Sequence, residues 1–177
     1  IGVRTPADIF ATASLQELIE AAGGAVRVTW AISEAGEFAD WKGERSFIAQ
    51  NMTGGKVQIG MIDGVPGASP MELLLMGVAG CTGIDIANIM TKARQPMENL
   101  RVRVRGKFAP EGTLPRIYTD IEVEYIVWGR NIDVRVLESA IELSEAKYCS
   151  ASAMMRAVAK VTSSYRILDP SEEFTPS

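Results

Sequence analysis

Apolar and polar residues follow two different rhythms along the chain. Val26, Val28 and Trp30 alternate with Arg27 and Thr29, the period-two pattern of a half-buried strand. Residues 46–50 and 56–60, on either side of Thr53-Gly54-Gly55, continue a meander, and 64–68 with Pro66 and Gly67 read as a loop. Ahead of them Leu15, Leu18, Ile19 and Ala22 recur at helical spacing. Thr5 caps that helix, Pro6 fits its first turn and Gly23-Gly24 stop it.

A second helix starts at the capping box Ser69-Pro70-Met71-Glu72 and runs to about residue 94. Its apolar residues surround the axis, which predicts burial inside the protein or between subunits. Two alternating strands follow. Arg101, Arg103 and Arg105 lie in one, Asp120, Glu122 and Glu124 in the other, and an antiparallel register placing Arg103 opposite Glu122 satisfies both faces. That pairing assigns the arginines to the acids rather than to nucleic acid. Beyond Gly129 the pattern gives a helix over about 134–146, a break at Lys147-Tyr148, a helix over about 150–160 and a strand over 161–168. Segregated runs of this kind indicate an α+β fold. The expected organisation is an accessory helix at 1–24, one domain at 25–168 and a tail at 169–177.

Composition narrows the function. The net charge of −4 gives no pull toward nucleic acid or anionic lipid, so neither is an expected partner. The stretch 73–90 is long enough to span a bilayer, but Thr82, Asp85 and Asn88 interrupt it, which favours a core helix. There is no histidine, which removes the commonest general base and metal ligand. Two cysteines are too few to staple a secreted scaffold of this size, and no leader segment is visible, so the expected location is cytoplasmic.

Chemistry then rests on Cys81 and Cys149. Cys81 lies mid-helix, where a thiol ordinarily packs as a small hydrophobe, and Asp85 one turn on opposes a thiolate. Cys149 lies where one helix gives way to another, so the N–H groups of 150–153 and the charge of Lys147 can lower its pKa. If the two meet, one thiolate can attack a peroxide and the other thiol can condense with the sulfenic acid. Two thiolates without histidine do not close a tetrahedral shell, so neither a metal nor an organic cofactor is expected.

The run Ser69-Pro70-Met71-Glu72-Leu73-Leu74-Leu75-Met76, leading into Ala79-Gly80-Cys81-Thr82-Gly83-Ile84-Asp85, resembles the first cysteine motif of the OsmC/Ohr family. Ile141-Glu142-Leu143-Ser144 with Lys147-Tyr148-Cys149-Ser150 resembles the second, and both are most similar to the YhfA-type branch. The resemblance spans residues 25–168. It implies an OsmC-like fold with an antiparallel sheet and a long buried central helix, in an intertwined homodimer. It also implies a thiol-dependent redox protein that reduces organic hydroperoxides, with Cys81 peroxidatic, Cys149 resolving, Glu72 as a candidate supporting carboxylate and a dithiol as reductant. Two departures stand out. The family's glutamate directly follows the proline, where this chain has Met71. Glu72, one later, is nine residues from Cys81, about 13.5 Å along a helix and on its opposite face. The stretch 51–68 holds no arginine to support the thiolate, leaving Arg45, Arg27 and Lys56 as substitutes. The alternative reading is a non-catalytic OsmC-like protein that binds an apolar small molecule in the dimer cleft.

Overall fold

The computed structural model describes residues 27–30 and 37–174; the helix predicted near the N-terminus lies outside them. The chain divides between Pro70 and Met71 into two compact units.

The first unit is an antiparallel meander of β1 (Arg27–Trp30), β2 (Glu37–Trp41), β3 (Phe47–Gln50) and β4 (Lys56–Ile59), paired in chain order. Strand β2 is an addition to the expected three; it pairs Phe38 with Gln50 and Trp41 with Phe47. The Asn51 side-chain oxygen accepts the N–H groups of Thr53 and Gly55 at 3.1 and 2.8 Å and closes the β3–β4 turn. The expected loop at 64–68 is partly a small hairpin of β5 (Met61–Ile62) and β6 (Val65–Pro66). Its two turn residues, Asp63 and Gly64, have φ of 50° and 76°, the left-handed pair that an Asp-Gly hairpin requires.

The second unit carries the apolar core. Helix α1 (Pro70–Lys92) is followed by β7 (Asn99–Phe108), β8 (Tyr118–Trp128), helix α2 (Val134–Leu143), a π-helical turn (Ser144–Tyr148), helix α3 (Ser150–Arg156) and β9 (Lys160–Leu168). The sheet is mixed rather than purely antiparallel: β7 runs antiparallel to β8, but β9 runs parallel to it. The cause is the connection, since the helical segments between β8 and β9 form a crossover that returns the chain in the same direction.

Val78, Ile86 and Met90 of α1 pack with Ile121, Val123, Tyr125 and Val127 of β8 and Leu137 and Ala140 of α2. Full burial of a side chain of the Val, Leu or Ile kind contributes about 1.5–3 kcal/mol, so this cluster is the main source of stability. Gly106 is required beside it, because a Cβ there would sit 2.5 Å from the Tyr118 ring, which stacks on Phe108 at 4.4 Å.

Helix α1 has the length and hydropathy to cross a membrane, yet it packs as a core helix through the stripe Val78, Thr82, Ile86 and Met90. The expected all-round burial is not met within a single chain. Met76, Gly80 and Ile84, about 160° round the axis from that stripe, are exposed, Ile84 by 65%.

The arginine and acid rows do face each other, shifted by two residues from the expected register. Arg103 lies opposite Glu124 and Arg105 opposite Glu122, with ion pairs at 2.6 and 2.9 Å. A two-residue slip keeps every side chain on its face, so alternation alone could not choose between the registers. Glu122 is therefore diagonal to Arg103, and Val102 and Val104 pack against the core. Glu124 also pairs with Arg166 of β9 at 2.7 Å. The ring of Phe174 lies under the guanidinium groups of Arg101, Arg103 and Arg166 at 4.8–5.4 Å.

Candidate functional site

Cys81 is on α1, one residue before the buried stripe member Thr82, and is half-buried. Cys149 is 2% exposed. The two come together with Asp85: both sulfurs and a carboxylate oxygen of Asp85 lie within 4.8 Å of one another. Both cysteines are free thiols.

The π-helical turn presents Cys149. It continues α2 where the sequence reading expects helix to residue 146 and then a break. The Cys149 N–H reaches back five residues to the Ser144 carbonyl at 2.8 Å, and Cys149 itself leaves helical conformation at φ −76°, ψ 96°. Such wide turns recur at functional sites because they re-aim one residue within an otherwise regular helix. The next helix starts at once, with Cys149 as its N-cap: its sulfur accepts the Ser152 N–H at 3.3 Å. The Ser152 hydroxyl is buried beside that sulfur. Arg156 ties α3 to the π turn through Glu145 at 2.7 Å and to β9 through the Val161 carbonyl at 3.3 Å.

The expected cap interaction is thus present, but its electrostatic outcome differs. Burial pushes the Cys149 thiol above its ordinary value, the neighbouring Cys81 adds to this, and the Ser152 hydroxyl and N–H oppose it without prevailing. Lys147 gives no help: it is exposed and lies over the Tyr148 ring at 5.5 Å. Cys149 is therefore a buried thiol that holds its proton more tightly than usual, and Cys81 is the more exposed of the two residues.

Asp85 has a definite partner. The Ser144 hydroxyl donates to its Oδ2 at 2.9 Å, so the π turn positions the carboxylate as well as Cys149. A shallow groove of about 510 Å³ opens beside it, lined by Asp85, Asn88, Ile89, Lys92, Ala93, Leu143 and Tyr148. Beneath the pair the Tyr125 hydroxyl is buried without a hydrogen bond of good geometry; its neighbour Thr82 donates instead to the Val78 carbonyl at 3.0 Å. Burial first, and then the charge of Glu145, raises the Tyr125 pKa well beyond the usual phenol range.

The structure brings Cys81 and Cys149 together and does not bring Glu72 to them. Glu72 is exposed in the first turn of α1, where its charge, after burial, helps to raise the Tyr118 pKa. The expected metal-free argument counted two thiolates, whereas the structure supplies a third donor in Asp85. Sequence reasoning missed Ser144, Ser152 and Tyr125. Ser144 lies inside the second cysteine motif, and Ser152 stands three residues after Cys149, the spacing of an N-cap contact.

Comparison with known proteins places these elements in a family. Residues 63–164 match the family described as OsmC-like protein. The chain is 30% identical to Protein YhfA of Escherichia coli strain K12 over 128 residues, 72% of this chain and 94% of that one. A hypothetical protein from Aquifex aeolicus VF5 is similar in structure at a TM-score of 0.68 and 29% identity, over 80% of this chain and 100% of that one. The organic hydroperoxide resistance protein OhrB of Bacillus subtilis shares the fold at a TM-score of 0.53 and 18% identity, over 77% of this chain and 100% of that one.

Proposed function

Since the chain belongs to the OsmC-like family, we propose that it is a thiol-dependent redox protein that reduces organic hydroperoxides through Cys81 and Cys149. The observation that carries this reading is the approach of the two sulfurs to within 4.8 Å, from elements 68 residues apart (149 − 81). The name of the Bacillus subtilis neighbour, an organic hydroperoxide resistance protein, points the same way.

Accessibility divides the roles. The half-buried Cys81 thiolate attacks one peroxide oxygen and the O–O bond breaks. The alkoxide leaves, taking up a proton as an alcohol, and Cys81 is left as the sulfenic acid. Cys149 then attacks that sulfur, water departs, and an intramolecular disulfide forms. An external dithiol transfers two electrons back and restores both thiols, itself ending as a disulfide. Neither Glu72 nor Lys147 enters this scheme.

A second copy of the chain covers the exposed Met76, Gly80 and Ile84 face in this reading, giving the homodimer. Unpartnered apolar surface on a central helix supports that assignment. A cytoplasmic location suits two free thiols. The second reading, binding of an apolar small molecule without turnover, is favoured by the groove walls of Ile89, Ala93, Leu143 and Tyr148.

The test is stoichiometric cumene hydroperoxide on reduced protein, followed by peptide mapping without reductant. A Cys81–Cys149 disulfide within one chain, with cumyl alcohol released, is the expected result. Recovery of both free thiols with the peroxide unconsumed would falsify the redox reading and leave the ligand-binding one.

A further inference from the structure

The cysteine pair with Asp85 has the donors of a metal centre, and this depends only on the reduced state, not on any peroxide reaction. The Sγ atoms of Cys81 and Cys149 and a carboxylate oxygen of Asp85 lie within 4.8 Å of one another. Zinc takes sulfur at about 2.3 Å and carboxylate oxygen at about 2.0–2.2 Å. A tetrahedral ion with those bonds sets the sulfurs about 3.8 Å apart and each sulfur about 3.5 Å from the oxygen. From that outer limit, closing on such an ion contracts the three separations by no more than about 1.3 Å.

Two further observations favour a cation here. Asp85 forms no ion pair among the described residues, and its hydrogen-bond partner is the neutral Ser144 hydroxyl at 2.9 Å. That contact is also the outer-shell support that orients a ligating carboxylate. The half-buried Cys81 and the groove beside Asp85 give an ion a way in. Three protein donors with one position left to water is the open arrangement seen in zinc sites that bind exchangeable ligands.

We propose that the reduced chain binds a thiophilic divalent cation, with zinc(II) as the reference ion, through Cys81, Cys149 and Asp85. Each thiol gives up its proton as its sulfur coordinates. An ion so held occupies both sulfurs and prevents their joining, and a disulfide between them excludes the ion. The site therefore reports the redox state of the pair.

The experiment titrates cobalt(II), then zinc(II), into the reduced chain without oxygen. Expected are a thiolate-to-cobalt charge-transfer band and strong visible bands of tetrahedral geometry, saturating near one ion per chain and bleached by zinc. Asp85→Asn should weaken binding about 10- to 100-fold, and Ser144→Ala about tenfold, by loss of a ligand and of its support. Wild-type protein alkylated at the half-buried Cys81, a control that needs no substitution, should bind cobalt at least about tenfold more weakly. Absence of the charge-transfer band in the reduced wild type overturns the proposal, and so does Asp85→Asn binding cobalt as tightly as wild type. No hydroperoxide is present, so this result and that of the peroxide test can fail separately.

Discussion

Cys81 and Cys149 share one cluster but have opposite surroundings. Cys81 belongs to the long helix α1 and is half-buried, one turn before Asp85, which lines a groove. Cys149 belongs to a break between helices, is 2% exposed and is held by the Ser152 N–H. In the proposed reaction that difference makes one thiol the one that meets the reagent and the other the one that waits for it. Position within the fold, rather than the chemistry of the side chain, makes that division.

Removing either sulfur tests it most severely. Cys81→Ser should reduce peroxide consumption to that of free thiol in solution, because the buried partner has no access. Cys149→Ser should consume one peroxide and stop at a sulfenic acid on Cys81, or over-oxidise, detectable by dimedone trapping and mass measurement. If the two variants behave alike, the division of roles is wrong.

Stability should separate the cysteines in the same direction. Cys149→Ala removes an N-cap and should cost about 1–2 kcal/mol in denaturant unfolding. Cys149→Ser keeps a capping oxygen and should cost much less, which makes it the better chemical probe. Cys81→Ala, at a half-buried position inside α1, should stay within about 0.5 kcal/mol of wild type.

Alkaline pH sharpens the contrast further. In the proposed reaction the condensing nucleophile is the Cys149 thiolate, whose pKa stands above the ordinary 9.0. Disulfide formation from the sulfenic acid should therefore accelerate about tenfold per pH unit below that raised value, in stopped-flow mixing. The linkage has the opposite sign for folding. The folded chain holds the Cys149 proton to higher pH than the unfolded chain does. The stability it contributes is thus complete below the ordinary thiol value and is lost as pH rises through the folded one. Cys149→Ser should remove that part of the alkaline loss of Tm.

The smallest change is expected beneath the pair. Tyr125→Phe removes a buried hydroxyl that makes no hydrogen bond of good geometry, so stability should move by less than about 1 kcal/mol, in either direction. A loss of several kcal/mol would show that this hydroxyl supports the cysteine pocket.

Much of this was legible in the chain itself. The capping box and apolar run marked α1 almost to its ends, and two motif cysteines in separate elements marked residues that the fold brings together. What stayed hidden depends on contacts between distant segments. Charge alternation repeats every two residues, so it could not distinguish Arg103 opposite Glu122 from Arg103 opposite Glu124. Strand β2 was obscured by Glu37 and Asp40 within EFADW, whereas the Asp63-Gly64 hairpin left a signal that went unread. Asp85 shows the limit most clearly. Its spacing from Cys81 was plain, but its partner Ser144 is 59 residues away, and no local pattern announces that contact.

The π-helical turn has a consequence for insertions and deletions. A residue removed from an α-helical stretch rotates everything beyond it by about 100° relative to what precedes. In a π turn, one residue fewer restores ordinary helix, so deleting exposed Lys147 is structurally cheap. The shortened segment would keep α2 and its core contacts but lose the five-residue step by which the Cys149 N–H reaches the Ser144 carbonyl. A single codon lost at the turn is thus a change the fold can absorb at the very step that presents Cys149.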